Sequence, residues 1–244
     1  MKPTPILLLC TLLAGCQSAD NLWTNSRSAV SGLFADDTTA PTAAEQAADA
    51  GDPQPAADAG NTVGTTDEAL ADAPLEVQAL AAYTVPAQTF ADESRSFGTP
   101  PVSSLIPVNY RQPTPTTLAG GRLITTPTLH RRLLEAQAPV VINTQRGTIT
   151  ELIPGSVWLS GSGRHGNLSD ATQRQLEERL VTLTDGDRDR SLVFYCTGLK
   201  CWSAYNAALR AVNLGYRNVR WYRGGLEAWY AAGLPTYSSR DDRW

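Results

Sequence analysis

Histidine and lysine are scarce in this 244-residue chain, which holds two of each: His130 and His165, Lys2 and Lys200. Cysteine is sparse as well, with four residues at positions 10, 16, 196 and 201. The histidines lie far from the paired cysteines in sequence, so no metal-ligand spacing emerges and neither a metal nor another cofactor is expected. Asp185, Asp187 and Asp189 alternate as calcium ligands do, but the later glycine and glutamate of such a loop are missing, which leaves a charged turn. Long apolar runs are absent. Ile6 to Leu13 falls far short of the roughly 20 residues that a membrane-spanning helix needs. The shortage of lysine also shapes the charge: from Pro100 onward, 16 arginines and one lysine face 11 acidic residues, a net of about +6. Guanidinium groups suit planar anions. No stripe of aromatic residues interleaves with them, so nucleic acid is not expected as a partner.

What is present begins with a basic start, the short apolar run, and then Leu13-Ala14-Gly15-Cys16. This has the shape of a secretory signal. It resembles a bacterial lipoprotein signal over residues 1–16, which implies lipidation of Cys16 and a membrane held through the lipid anchor. Gln17 in the next position, rather than Asp, implies the periplasmic face of the outer membrane. From residue 17 to 99, Ala, Asp, Thr, Pro and Gly dominate, and 13 acidic residues face Arg27 and Arg95, a net of −11. Such a segment buries too little apolar surface to offset its ordering entropy and reads as a disordered tether. Leu70 to Ala82 could form a short helix, marginal alone. It would dock either on the domain or on a partner.

Residues 100–244 read as the folded domain. Apolar runs at Arg122–Thr125, Val140–Asn143, Ile153–Leu159, Leu192–Tyr195 and Asn218–Trp221 predict strands, separated by helical patterns. Thr126 before Pro127 reads as a helix N-cap, and Asp170 with Gln173 as a capping box. Gly215 falls where a helix C-terminal cap belongs. Strands alternating with helices predict an α/β fold, a doubly wound five-stranded parallel sheet with helices on both faces. In such sheets ligands sit beyond the carboxyl ends of the strands.

One stretch, Leu192 to Leu214, organises the rest. An apolar strand ends on Cys196, a loop of Thr197, Gly198, Leu199 and Lys200 follows, and Cys201-Trp202-Ser203 opens an alanine-rich helix. Loop N–H groups and a helix N-terminus around a sulfur favour thiolate over thiol, and hence a nucleophile near neutral pH. Cys201 has three readings: a small buried residue, a thiol that resolves a modified Cys196, or its disulfide partner. A disulfide needs Cα atoms ~4.4–6.8 Å apart, which a tight loop can supply. Arg164, in the glycine-rich loop from Gly161 to Gly166 beside His165, is a candidate anion contact.

Taken together, the domain resembles the rhodanese-like family over Gly120 to Pro235. The likeness rests on Ile153-Pro154-Gly155-Ser156-Val157, on Val193-Phe194-Tyr195-Cys196, and on Leu214 to Val219 with Gly224-Gly225-Leu226-Glu227-Ala228-Trp229 and Ala232-Gly233-Leu234-Pro235. It implies sulfurtransferase chemistry through a persulfide on Cys196, with a sulfur donor or thiol as substrate. The loop departs from the family pattern, since Thr197 and Cys201 stand where arginines are usual. Related phosphatases need an arginine where Trp202 stands, so phosphate ester hydrolysis is not expected. Tyr110-Arg111, Pro113-Thr114-Pro115, Asn206-Ala207-Ala208 and the cysteines before Trp202 resemble a narrower group. This is the periplasmic rhodanese-like subfamily with a C-x-x-C-W-type motif that accompanies pyrroloquinoline-quinone-dependent oxidation. That resemblance implies, as an alternative, a non-catalytic accessory module with a periplasmic protein partner.

Overall fold

The computed structural model describes residues 70–107, 110, 112–148 and 151–238. The expected signal with Cys16, and the expected tether as far as residue 69, lie outside these. Five parallel strands form the sheet, in the order β1 (Arg122–Leu123), β6 (Val219–Tyr222), β5 (Leu192–Tyr195), β2 (Val140–Asn143) and β4 (Ser156–Trp158). Strand β5 is central and fully buried, as its unbroken apolar run requires. Helices α3 (Ala171–Thr184) and α4 (Trp202–Asn213) supply the layer on one face, where Leu176, Leu180, Ala207, Ala208 and Ala211 meet Ile142, Phe194 and Trp221. Helices α2 (Thr126–Leu133) and α5 (Gly225–Ala231) cover the other, around Val141, Val193, Tyr195 and Trp229. The expected α/β architecture with helices on both faces is observed.

Four features differ from the sequence reading. First, residues 70–99, read as tether, are part of the domain. Helix α1 (Leu75–Gln78) and the 3₁₀ turn Ala79–Ala82 lead into a strap that buries Leu80 and Phe90 against the α2/α5 face and Val77 beside Gly155. Each such burial contributes about 1.5–3 kcal/mol, enough to hold a segment whose composition alone argues for disorder. The strap is also held by polar groups that composition hides. The Glu93 carboxylate accepts hydrogen bonds from Thr126 N–H (2.9 Å) and Thr126 Oγ1 (2.8 Å), and His130 Nε2 lies 3.1 Å from Leu80 O.

Second, Thr125, not Thr126, is the N-cap of α2. Glu93 occupies the place beside the first free N–H that a local cap would otherwise serve, so the helix terminus is met by a carboxylate from the strap. Third, only half of the predicted capping box forms. Asp170 Oδ1 accepts from Gln173 N–H (2.8 Å), but the Gln173 side chain turns inward to Arg210 O (3.1 Å) and Arg210 Nη1 (3.0 Å). A two-stranded antiparallel ribbon, β3 (Glu151–Leu152) with β7 (Tyr237–Ser238), has no counterpart in the sequence reading.

Candidate active site

Cys196 follows the last residue of β5, at the carboxyl end of the sheet, and Cys201 is the N-cap of α4. Their sulfurs are joined in a disulfide whose Cα atoms stand 6.1 Å apart. Of the readings open for Cys201, this is the one observed. Cys196 is 4% exposed, whereas Cys201 is only partly buried. The loop between them is held from two sides. From α5, the N–H groups of Leu226 and Glu227 donate to the carbonyls of Cys196 (3.0 Å) and Thr197 (2.8 Å). That approach requires glycine at 225: its φ is +56°, and a Cβ there would sit 2.4 Å from Cys196 O.

From the segment between the strap and β1, Thr114 donates to Leu199 O through both N–H (2.8 Å) and Oγ1 (2.7 Å). Thr114 is in turn gripped by Arg223, 1% exposed, whose Nε reaches Thr114 Oγ1 (3.1 Å) and whose Nη2 reaches Thr114 O (2.8 Å). The same guanidinium donates through Nη1 to Glu93 O and Arg95 O, both at 2.9 Å. A buried cation thus fastens two points of the strap and Thr114 beyond it with charge-assisted bonds, and fixes the loop through Thr114. Burial pushes the Glu93 carboxyl above its usual range, against its bonds to Thr126 and Phe90.

The loop carbonyls of Cys196, Thr197, Gly198 and Leu199 are thus all used as acceptors. Among the described residues, the one loop N–H with a backbone acceptor is that of Cys201, bonded to Gly198 O at 3.0 Å. The N–H groups of Thr197, Gly198, Leu199 and Lys200 have no backbone acceptor among the described residues, and N–H groups of such a turn are the donors that can stabilise an anion held there.

The other expected site residues divide. Thr197 and Lys200 are exposed at the loop's mouth, and Cys196 Sγ lies 3.9 Å from Thr197 Oγ1. Trp202 and Ser203 turn inward and serve the fold. Trp202 donates to Gln112 O (2.9 Å) and meets Tyr110 and Tyr205 edge to face, and Ser203 Oγ donates to Thr144 O (2.8 Å). Arg164 belongs to another place. Its side chain folds over Gly161 and lines a small cavity of about 150 Å³ with Ser160, Thr172 and Gln175. No described contact joins it to the cysteine loop.

Three residues at the site escaped the sequence reading as functional groups: Thr114, Arg223 and Glu227. Arg223 carried a signal, a charged residue closing the apolar strand Val219 to Tyr222 directly before Gly224-Gly225. The Glu227 carboxylate lies over Gly198, where an added Cβ would be 2.2 Å from its Oε2. Among the described residues there is no cluster of three or more His, Cys, Asp or Glu able to hold a metal ion. No helix among them is long and apolar enough to cross a membrane.

Residues 132–232 match the family model of the rhodanese-like domain, so the chain carries a domain of that class. No curated protein matches it. Among solved structures, it is similar to a rhodanese with anions from E. coli at 17% identity, covering 42% of this chain and 100% of that one, with a TM-score of 0.30. A polysulfide-sulfur transferase homodimer from Wolinella succinogenes matches at 14% identity over 51% of this chain and 83% of that one, TM-score 0.34. A thiosulfate sulfurtransferase from Pseudomonas aeruginosa matches at 24% identity over 46% of this chain, with a TM-score of 0.35, and the match spans 19% of that protein.

Proposed function

We infer that the protein is a rhodanese-type sulfur carrier in which Cys196 bears the persulfide and Cys201 discharges it. The observation that carries this reading is the 6.1 Å Cα separation across the loop, which lets the two sulfurs bond at the end of β5. In the reduced protein, the Cys196 thiolate attacks the outer sulfur of a persulfide R–S–SH. The donor's S–S bond breaks, RS⁻ leaves, and Cys196–S–SH forms. The Cys201 thiolate then attacks Sγ of Cys196, HS⁻ departs, and the disulfide is left. The sulfane sulfur is reduced to sulfide and the two thiols are oxidised, so electrons balance. If an external thiol instead takes the outer sulfur, the persulfide is passed on and both cysteines stay reduced.

The Leu13-Ala14-Gly15-Cys16 motif and Gln17 support anchoring through lipid on Cys16 at the periplasmic face of the outer membrane, an oxidising compartment that suits the disulfide. The narrower resemblance to the subfamily of quinone-linked oxidation systems is supported by roles for its residues here. Tyr110 meets Trp202, Thr114 holds the loop, and Asn206 bonds both Ile106 N–H (2.9 Å) and Ile106 O (2.7 Å).

The deciding experiment is intact-mass analysis of the reduced full chain after treatment with glutathione persulfide. Wild type should release sulfide and end as the disulfide. Cys201→Ser should hold one added sulfur atom, and Cys196→Ser should hold none. A reduced protein in which Cys196 takes sulfur from no donor would leave the accessory-module reading in its place. Anchoring is tested separately by Cys16→Ser, which should move the protein from the membrane fraction to the soluble one. Unchanged membrane partitioning of that variant would exclude the lipid anchor.

A further inference from the structure

The two sulfurs of the disulfide are not equivalent, and this determines how it is reopened. We propose that a partner dithiol attacks the disulfide at Cys201, expelling Cys196 as the thiolate. The inference rests on the thiol-exchange half of the sulfur-carrier reading, and it names the class of reaction that must restore the reduced protein. An incoming thiolate has to reach the sulfur it attacks from the side opposite the breaking bond. Cys196 is 4% exposed, packed in the core at the end of β5, with its carbonyl held by Leu226 N–H of α5 and its sulfur bonded to Cys201. Cys201 is partly exposed and sits beside Lys200, an exposed cation that favours approach of an anion.

Leaving-group chemistry is the second consideration, because a sulfur whose thiolate is stabilised departs faster. Cys196 opens a loop whose N–H groups at residues 197–200 have no backbone acceptor among the described residues. Cys201, as N-cap of the twelve-residue α4, also gains from a helix terminus. Thiolate stability alone therefore does not choose between them, and accessibility does. In balance, R(SH)–S⁻ plus the disulfide gives R(SH)–S–S–Cys201 and Cys196–S⁻. The second partner thiol, as thiolate, then attacks its own sulfur, releasing Cys201–S⁻ and the oxidised partner. The oxidised state is closed to sulfur loading because Sγ of Cys196 is bonded, so the partner gates the carrier.

The test uses glutathione as the attacking thiol. Full-length Cys196→Ala with thionitrobenzoate loaded on Cys201, and Cys201→Ala with it loaded on Cys196, are each treated with glutathione. Release of the chromophore should be roughly tenfold or more faster from Cys201. In wild type, brief treatment followed by iodoacetamide and trypsin locates the adduct directly. Cleavage after Lys200 puts Cys196 on Ser191–Lys200 and Cys201 on Cys201–Arg210. Glutathione on the second peptide and the alkyl group on the first are expected. Equal or faster release from Cys196, an adduct on the first peptide, or loss of the disulfide with no adduct on either would overturn the proposal. If Cys196 takes up no sulfur but the adduct still forms on Cys201, the carrier reading falls and this one stands.

Discussion

Replacing both Thr197 and Cys201 by arginine is expected to raise the reactivity of Cys196 toward thiosulfate by roughly two to four orders of magnitude. Thiosulfate is a dianion, and the loop offers it one cation, Lys200. Each hydrogen bond from a guanidinium to an anion is worth about 1.5–3 kcal/mol, and each 1.4 kcal/mol is tenfold in an equilibrium constant or rate. Thr197 is exposed and Cys201 partly so, which gives both guanidinium groups room at the mouth without burying charge. The Glu227 carboxylate over Gly198 works against an incoming dianion, so the gain should sit toward the lower end of that range. Because the double variant also removes the disulfide, reduced Cys201→Ser is the reference. The measurement is the rate of sulfite release from thiosulfate. Should the double variant be no faster than Cys201→Ser, guanidinium groups at these two positions do not govern thiosulfate use by this loop.

The second large effect lies away from the sulfur. Arg210 is 0% exposed and donates to five acceptors: Asp170 Oδ1 (2.9 Å) and Oδ2 (2.8 Å), Asn167 O (3.1 Å), Gln173 Oε1 (3.0 Å) and Arg164 O (2.9 Å). It ties the loop before α3 to α4. Breaking a buried ion pair by removing one partner typically costs about 3–5 kcal/mol. Asp170 remains 23% exposed and can be partly rehydrated, so Arg210→Met should lose about 3 kcal/mol. In thermal unfolding that is a drop of roughly 6–12 °C for a domain of this size.

The pH dependence has a fixed sign. Burial pushes the Asp170 carboxyl up, but the bonds from Arg210 and Gln173 outweigh it and hold it below the ordinary range. Its contribution is therefore present above the unfolded carboxyl value of about 3.9 and is lost as pH falls through the lower folded value. The gap between wild type and Arg210→Met should narrow as unfolding is measured from pH 7 down to pH 3. A gap that stays constant would mean the loss comes from packing and carbonyl bonds rather than from the pair.

Several parts of the molecule were legible in the sequence because their causes are local. Leu192 to Tyr195 is buried on both faces, so its unbroken apolar run marks a central strand. Asp170 caps α3 within three residues of itself, and Gly215, with φ of +87°, follows the last turn of α4 as a left-handed residue must. The position of Cys196 between that strand and that helix followed from the same local pattern.

Contacts across long sequence separations were not legible. Composition gave the strap from Leu70 to Thr99 to a disordered tether, since its charge and small residues say nothing of what lies opposite. Arg223 grips Glu93 O from 130 residues away, and Glu93 finds Thr126 at a separation of 33. By itself the sequence determined the α/β alternation, the strand that ends in Cys196 and the pair of cysteines around a short loop, because each depends on neighbours a few residues apart. Tertiary structure decided that the strap belongs to the domain, that Trp202 and Ser203 face inward, and that Arg164 lies elsewhere. It also decided that the Cys196–Cys201 loop closes as a disulfide, with Cys196 buried and Cys201 partly exposed. Those outcomes turn on which distant groups arrive to satisfy buried carbonyls and charges.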